Sequence, residues 1–132
     1  MLKLFLSAGS VALALTGAVS AQSYNCQFSR AGGMLPPQVR ITMTGDQTAQ
    51  VLDGLIQQVY GGPIEGRVTS NSAKRLTVKW EVQLNKRIFY TVSIYKPGLN
   101  ADFKLNNPSN FEFQINEYGP EFAGSKGQCR QG

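Results

Sequence analysis

Few side chains in this sequence could carry out acid–base or metal chemistry, because it contains no histidine. Its 132 residues include 13 Lys and Arg, 8 Asp and Glu, and 2 Cys. Histidine is the commonest general base at neutral pH and the commonest metal ligand. Its absence excludes Ser-His-Asp hydrolases, Cys-His proteases and zinc sites built from histidine.

The carboxylates follow no pattern typical of an active site. A glycoside hydrolase needs two carboxylates that converge on one bond. Most of these acids fall in predicted turns or at outward strand positions, where they favour solubility and cross-strand pairing. The sequence also lacks GxSxG, Walker-type, GxGxxG and DxDxDG motifs. We therefore expect no catalytic residue, no metal and no cofactor, and predict that the protein is not an enzyme. The acids are Asp46, Asp53, Glu65, Glu81, Asp102, Glu112, Glu117 and Glu121.

Cations are concentrated between residues 67 and 87, where Glu81 is the single acid. Strand alternation places several of them on one outer face together with two aromatic rings. Such a face can bind an anionic partner, such as a polysaccharide, a lipid headgroup or an acidic protein patch. The alternative is a solvated sheet face whose lysines discourage aggregation. The candidate residues are Arg67, Arg75, Lys79, Phe89 and Tyr95.

A second candidate site is the predicted interior. Trp80 is the single tryptophan and lies in the middle of the most regular strand, which is typical of a core residue. If the strands enclose a hollow barrel, its aromatic residues would line a cavity for a small hydrophobic ligand. The candidate lining residues are Trp80, Tyr90, Phe103 and Phe113.

The first 21 residues have the three-part pattern of a cleaved secretory signal peptide. Lys3 precedes an apolar run from about residue 4 to residue 15, and small residues end at Ala21. A membrane anchor is the alternative, but the run is shorter than the roughly 20 residues that cross a bilayer. We predict a periplasmic or secreted chain that does not span the membrane. Export also argues against a nucleic-acid partner.

The two cysteines lie near the ends of the predicted mature chain, residues 22–132. In an oxidising compartment, an isolated pair of this kind is most simply one disulfide. Cys26 and Cys129 do not form the C-x-x-C motif of a redox site. The chain-entropy model gives such a long loop a stabilisation on the order of 4 kcal/mol.

Alternation of apolar and polar residues with period two predicts the strands that position these side chains. The pattern is strongest over 76–84, and further sets follow near 88–94, 99–105 and 111–115. Pairing Leu84 with Ile88, Ile94 with Leu99, and Leu105 with Phe111 keeps the apolar residues on one side. The result is a four-stranded antiparallel meander over about 75–116.

Upstream, similar sets predict strands near 24–28, 39–43, 49–51 and 64–68. Gly66 would leave room for the neighbouring Trp80 indole. Residues 54–60 have helical spacing, with Asp53 as the predicted N-cap and Gly61-Gly62-Pro63 as the stop. We therefore predict an all-β protein with one short helix. It would form a single antiparallel barrel-like domain of about eight short strands, with a two-sheet sandwich as the alternative.

Tyr24-Asn25-Cys26, followed by short antiparallel strands, resembles the small periplasmic barrel inhibitors of lysozyme. The serine-glycine loop motif of those inhibitors has no counterpart here, where the comparable turn is Ser70-Asn71-Ser72-Ala73. No functional residue is carried over from this resemblance, and no family is assigned.

The hypothesis for function is an exported, non-catalytic module in the cell envelope that binds or inhibits an anionic or protein partner. One alternative is a carrier of a small hydrophobic ligand inside the barrel. The other alternative is a structural envelope protein.

Overall fold

The computed structural model describes residues 22–29, 35–105 and 124–132. These residues form strands and one short helix, and each strand pairs antiparallel with the next along the chain. The elements are β1 (Ser23–Phe28), β2 (Gln38–Met43), β3 (Thr48–Asp53), α1 (Gly54–Tyr60), β4 (Ile64–Asn71), β5 (Arg75–Gln83), β6 (Arg87–Tyr95), β7 (Asn100–Leu105) and β8 (Gly124–Gln131).

The last strand, β8, pairs with β1 and closes the sheet into an eight-stranded antiparallel barrel. This confirms the predicted barrel over the two-sheet sandwich. Cys26 and Cys129 are directly opposite each other across β1 and β8 and form a disulfide, as predicted. The covalent bond therefore lies at the seam where the two ends of the described chain meet. In the described part of the chain, no helix is long and apolar enough to cross a membrane.

Inward side chains form one core inside the barrel. The predicted alternation of β5 is confirmed, because Leu76, Val78, Trp80 and Val82 are buried. The corresponding residues of β6 are buried in the same way. Removing these apolar surfaces from water stabilises the fold by about 25 cal/mol per Å². The β6 core residues are Ile88, Tyr90, Val92 and Ile94.

The predicted register between β5 and β6 is wrong by two residues. Val82, rather than Leu84, is opposite Ile88, and Trp80 is opposite Tyr90. Leu84 instead begins the turn, where its backbone N–H donates to the carbonyl of Lys86 at 3.0 Å. Leu84, which was predicted to face inward, is therefore exposed in the turn. A shift of two residues keeps the side chains within the paired strands on their predicted faces, so alternation alone does not reveal it.

The register between β6 and β7 also differs by two residues from the prediction, because Ile94 is opposite Ala101. Leu99 was predicted as a strand residue but lies in the turn, with φ of 65°. Its backbone N–H donates to the carbonyl of Tyr95 at 2.7 Å, and its own carbonyl accepts from the N–H of Cys129 at 2.8 Å. These two hydrogen bonds account for the left-handed conformation at a residue that is not glycine.

The second edge of β7 pairs with β8, because Ala101 is opposite Gly127 and Phe103 is opposite Ser125. The prediction paired residues 111–116 with this edge of β7. In the structure, this edge pairs with β8, residues 124–131. The predicted strand at 111–116, its turn at 106–110 and the predicted signal peptide all lie outside the described residues.

Two glycines permit close approaches inside the barrel. A Cβ atom on Gly66 would lie 2.9 Å from Val51 Cγ2 and 3.0 Å from Val78 Cγ1. The side chains nearest to this position are therefore two valines, and the contact of Gly66 with the Trp80 indole stays a prediction. A Cβ atom on Gly127 would collide with the carbonyl oxygen of Gln27 and the ring of Phe28.

The helix α1 follows β3 directly and has both predicted end signals. Asp53 is the N-cap, and its Oδ1 accepts a hydrogen bond from the N–H of Ile56 at 2.8 Å. Gly61 ends the helix with φ of 79°, and its N–H donates to the carbonyl of Gln57. Ile56 is fully buried in the barrel core, so the helix packs against the barrel through this residue.

Candidate functional site

The cross-strand register aligns a row of cationic and hydroxyl side chains on the outside of β3 to β7. Thr48 is opposite Arg67, Arg67 is opposite Lys79, Lys79 is opposite Thr91, and Thr91 is opposite Lys104. Neighbouring strands lie about 4.8 Å apart, so each step of the row has this spacing. The three cations are exposed to solvent. The row therefore presents three positive charges and two hydroxyl groups across five strands.

The strongest feature of this row is the pair Arg67 and Lys79, because neither side chain has a carboxylate partner among the residues that the structure describes. The ion pairs among the described residues are Arg87 with Glu81 at 3.8 Å and Lys126 with Asp102 at 2.9 Å. Like charges directly opposite each other repel. A bound anion would relieve this repulsion.

A second group of cations surrounds the turn between β4 and β5 and the turn between β6 and β7. The backbone N–H of Lys96 donates to the carbonyl of Lys74 at 2.9 Å, which holds the two turns side by side. The Lys96 ammonium donates to the carbonyl of Ser72 at 3.1 Å. Arg75 is directly opposite Tyr95 across β5 and β6. We define the basic face as the cations of the row and of these turns: Arg67, Lys79, Lys104, Lys74, Arg75 and Lys96.

The structure places all five predicted outer-face residues on the outside of the barrel, but in two groups. Arg67, Lys79 and Phe89 line one groove of about 900 Å³. Arg75 lies four residues from Lys79 along β5, a distance of about 13 Å, so it belongs with Tyr95 at the turns. The ring of Phe89 is 39% exposed and is available for contact with a partner.

Carboxylates border the basic face at two places. Glu65 and Glu81 line the same groove, on the side away from the turns. On the other side of the row, Asp102 accepts from the Lys126 ammonium and from the Tyr95 hydroxyl at 3.3 Å. The hydrogen bond from Lys126 lowers the pKa of Asp102, which keeps it ionised. Asp102 is thus paired with Lys126, and Glu81 is paired with Arg87, so Glu65 is the one of these three carboxylates without an ion pair among the described residues.

Inside the barrel, three of the four residues predicted to line a cavity pack against one another. The ring centroids are 5.7 Å apart for Trp80 and Tyr90, and 5.8 Å apart for Trp80 and Phe103. Phe28 extends this cluster, with its centroid 4.9 Å from that of Phe103. Phe113, the fourth predicted residue, lies outside the described residues. These spacings are typical of aromatic rings in direct contact.

Two polar atoms are buried in this interior without a hydrogen-bond partner, namely Asp53 Oδ2 and Trp80 Nε1. Burial raises the pKa of the Asp53 carboxyl, and the hydrogen bond from Ile56 opposes this shift. Burial, and then the charge of Asp53, also raise the pKa of the Tyr90 hydroxyl. Asp53 is the one acid among the buried residues of the described ranges.

No three His, Cys, Asp or Glu side chains in the described ranges lie close enough to hold a metal ion. Comparison with known proteins adds no assignment: no family model, no curated protein and no solved structure matches this chain.

Proposed function

We propose that this protein is an exported, non-catalytic module of the cell envelope that binds an anionic partner on its basic face. The observation that carries the proposal is the pair Arg67 and Lys79. These two cations are adjacent, exposed and without an ion pair among the described residues, and they share a groove with the exposed ring of Phe89. A disulfide is compatible with an oxidising compartment, which supports export.

The expected affinity can be estimated from the charge–charge interactions between the basic face and an anion. One contact between unit charges at 4 Å is worth about 1 kcal/mol in water and about 4 kcal/mol near a protein surface. Several such contacts along the row would produce measurable binding that weakens as salt is added, because the Debye length falls from about 10 Å at 0.1 M to about 3 Å at 1 M. The packing of Trp80, Tyr90 and Phe103 against one another supports a ligand on the surface rather than in the interior.

The test is titration of the protein with dextran sulfate, monitored by isothermal calorimetry at two salt concentrations. The double variant R67E/K79E is expected to bind about tenfold or more weakly, which corresponds to about 1.4 kcal/mol. K86E is the control for a charge change outside the basic face, because it reverses one exposed charge in the turn between β5 and β6. If K86E weakens binding as much as R67E/K79E does, the partner does not use the basic face and the proposal is wrong.

A further inference from the structure

The opposite side of the barrel carries a second polar surface, built from β8, β1 and β2. Asn25 on β1 lies directly between Arg40 on β2 and Arg130 on β8. Two residues further along β1, Gln27 is flanked in the same way by Gln38 and Gln128. All six side chains are exposed. We define them together as the amide–arginine face: Asn25, Gln27, Gln38, Arg40, Gln128 and Arg130.

This face is distinct from the basic face. In the closed strand order, β1 is four strands from β5 in either direction, so Asn25 and Gln27 lie on the opposite side of the barrel from Lys79. The amide–arginine face lines its own groove of about 850 Å³, to which Leu52 and Gln57 also contribute. A ligand bound there would not contact Arg67 or Lys79.

The groove contains no exposed carboxylate from the described residues. Its one acid is Asp53, which is buried and already caps α1. Neither of the two ion pairs among the described residues involves Arg40 or Arg130. Gln128 donates to the carbonyl of Gly98 at 3.2 Å, and this hydrogen bond fixes the orientation of its amide. The face therefore offers two unneutralised guanidinium groups beside a row of amides.

The residue types indicate the kind of ligand. A guanidinium binds a carboxylate through two parallel hydrogen bonds. Side-chain amides carry both donors and an acceptor, which suits the hydroxyl groups of sugars. Arg40 and Arg130 are two strands apart, which is about 9.6 Å and close to the length of a disaccharide unit. We infer that the amide–arginine face binds an acidic glycan, with sugar carboxylates on Arg40 and Arg130 and sugar hydroxyls on the amides between and beside them.

The experiment is an NMR titration of ¹⁵N-labelled protein with trigalacturonate, an oligosaccharide of uronic acids. The side-chain signals of Asn25, Gln27, Arg40 and Arg130 are expected to shift in a saturable manner. The variant R40Q/R130Q removes both charges but keeps side chains that form hydrogen bonds, and should bind about tenfold or more weakly. The matched control R67Q/K79Q makes the same change on the basic face and should alter the affinity by less than about twofold.

Two further ligands test the chemical class. Galactotriose has sugar hydroxyls but no carboxylates, and tricarballylate has carboxylates but no hydroxyls. Both are expected to bind at least about tenfold more weakly than trigalacturonate, because each loses one set of hydrogen bonds. Equal binding of tricarballylate would overturn the assignment to a glycan. An equal loss of affinity in R67Q/K79Q and R40Q/R130Q would overturn the assignment to this face. Neither result affects the dextran sulfate test of the basic face, which uses other residues.

Discussion

Removal of the disulfide should cost this protein a large part of its stability. Cys26 and Cys129 are separated by 103 residues along the chain, so the bond closes nearly the whole described fold into one loop. In the chain-entropy model, a loop of this length destabilises the unfolded chain by between about 4 and 5 kcal/mol. A single domain is stable by only about 5–15 kcal/mol in total. The double variant C26A/C129A should therefore be folded but only marginally stable.

The assay is urea unfolding followed by tryptophan fluorescence, because Trp80 is buried in the core and becomes exposed on unfolding. Domains of this size lose about 1–3 kcal/mol of stability per molar urea. With a slope near 2 kcal/mol per molar, the midpoint should fall by about 2 M. Wild-type protein kept reduced with a thiol reagent is the control, and its midpoint should match that of the double variant.

A loss below about 1 kcal/mol in C26A/C129A would refute this reasoning. It would mean that the unfolded chain already holds its two ends close together, so that the disulfide removes little entropy. The same result in the reduced wild type would exclude a packing effect of the two alanines as the cause.

Three other predictions concern substitutions of residues in the barrel interior. Gly127→Ala should destabilise the protein by about 1–3 kcal/mol through overpacking. Gly124→Ala is the control and should change the melting temperature little, because a Cβ atom on Gly124 would lie at an ordinary 3.5 Å from its nearest neighbour. Burial raises the pKa of Asp53 above 3.8 in the folded state, so its protonation contributes stability that is present below pH 3.8 and lost as the pH rises through the folded value. Asp53→Asn keeps a capping side chain but does not titrate, so it should flatten that part of the stability profile in urea titrations. Phe103→Ala should cost about 3–5 kcal/mol in urea unfolding, whereas Phe89→Ala, at an exposed ring, should stay within about 0.5 kcal/mol.

The fold class was predictable because inward and outward positions alternate with a period of two. The strand β5 shows this directly, since each large apolar residue of its alternating set is buried. The strand β8 was missed for the opposite reason. Its inward positions are Ser125, Gly127 and Cys129, which carry no apolar pattern, and the space beside Gly127 is filled by the ring of Phe28. When a side chain of a neighbouring strand fills the core beside a strand, the sequence of that strand does not need apolar residues at its inward positions. It then shows no apolar alternation from which the strand could be predicted.

The amide–arginine face could not be predicted for a related reason. Asn25 and Arg130 come together only through the pairing of β1 with β8. Without β8 in the predicted fold, Arg130 was one of two isolated cations near the end of the sequence. The disulfide prediction did place Cys129 beside Cys26, and the same antiparallel pairing brings Arg130 opposite Asn25. Because β1 and β8 are antiparallel, the disulfide between them determines which of their neighbouring side chains are opposite each other.

Register also explains why Lys104 was absent from the predicted basic face. In the predicted pairing, Lys79 would be opposite Ser93, and Lys104 would be opposite Phe89, four positions along the strand from Ser93. In the structure both hairpins are shifted by two residues, so Thr91 lies between Lys79 and Lys104. Such a shift leaves the core pattern unchanged, because the side-chain period is two. The shift does change which charged side chains are neighbours on the outer surface. The alternating sequence therefore determines the core of the barrel, whereas the lengths of the turns determine the arrangement of charges on its surface.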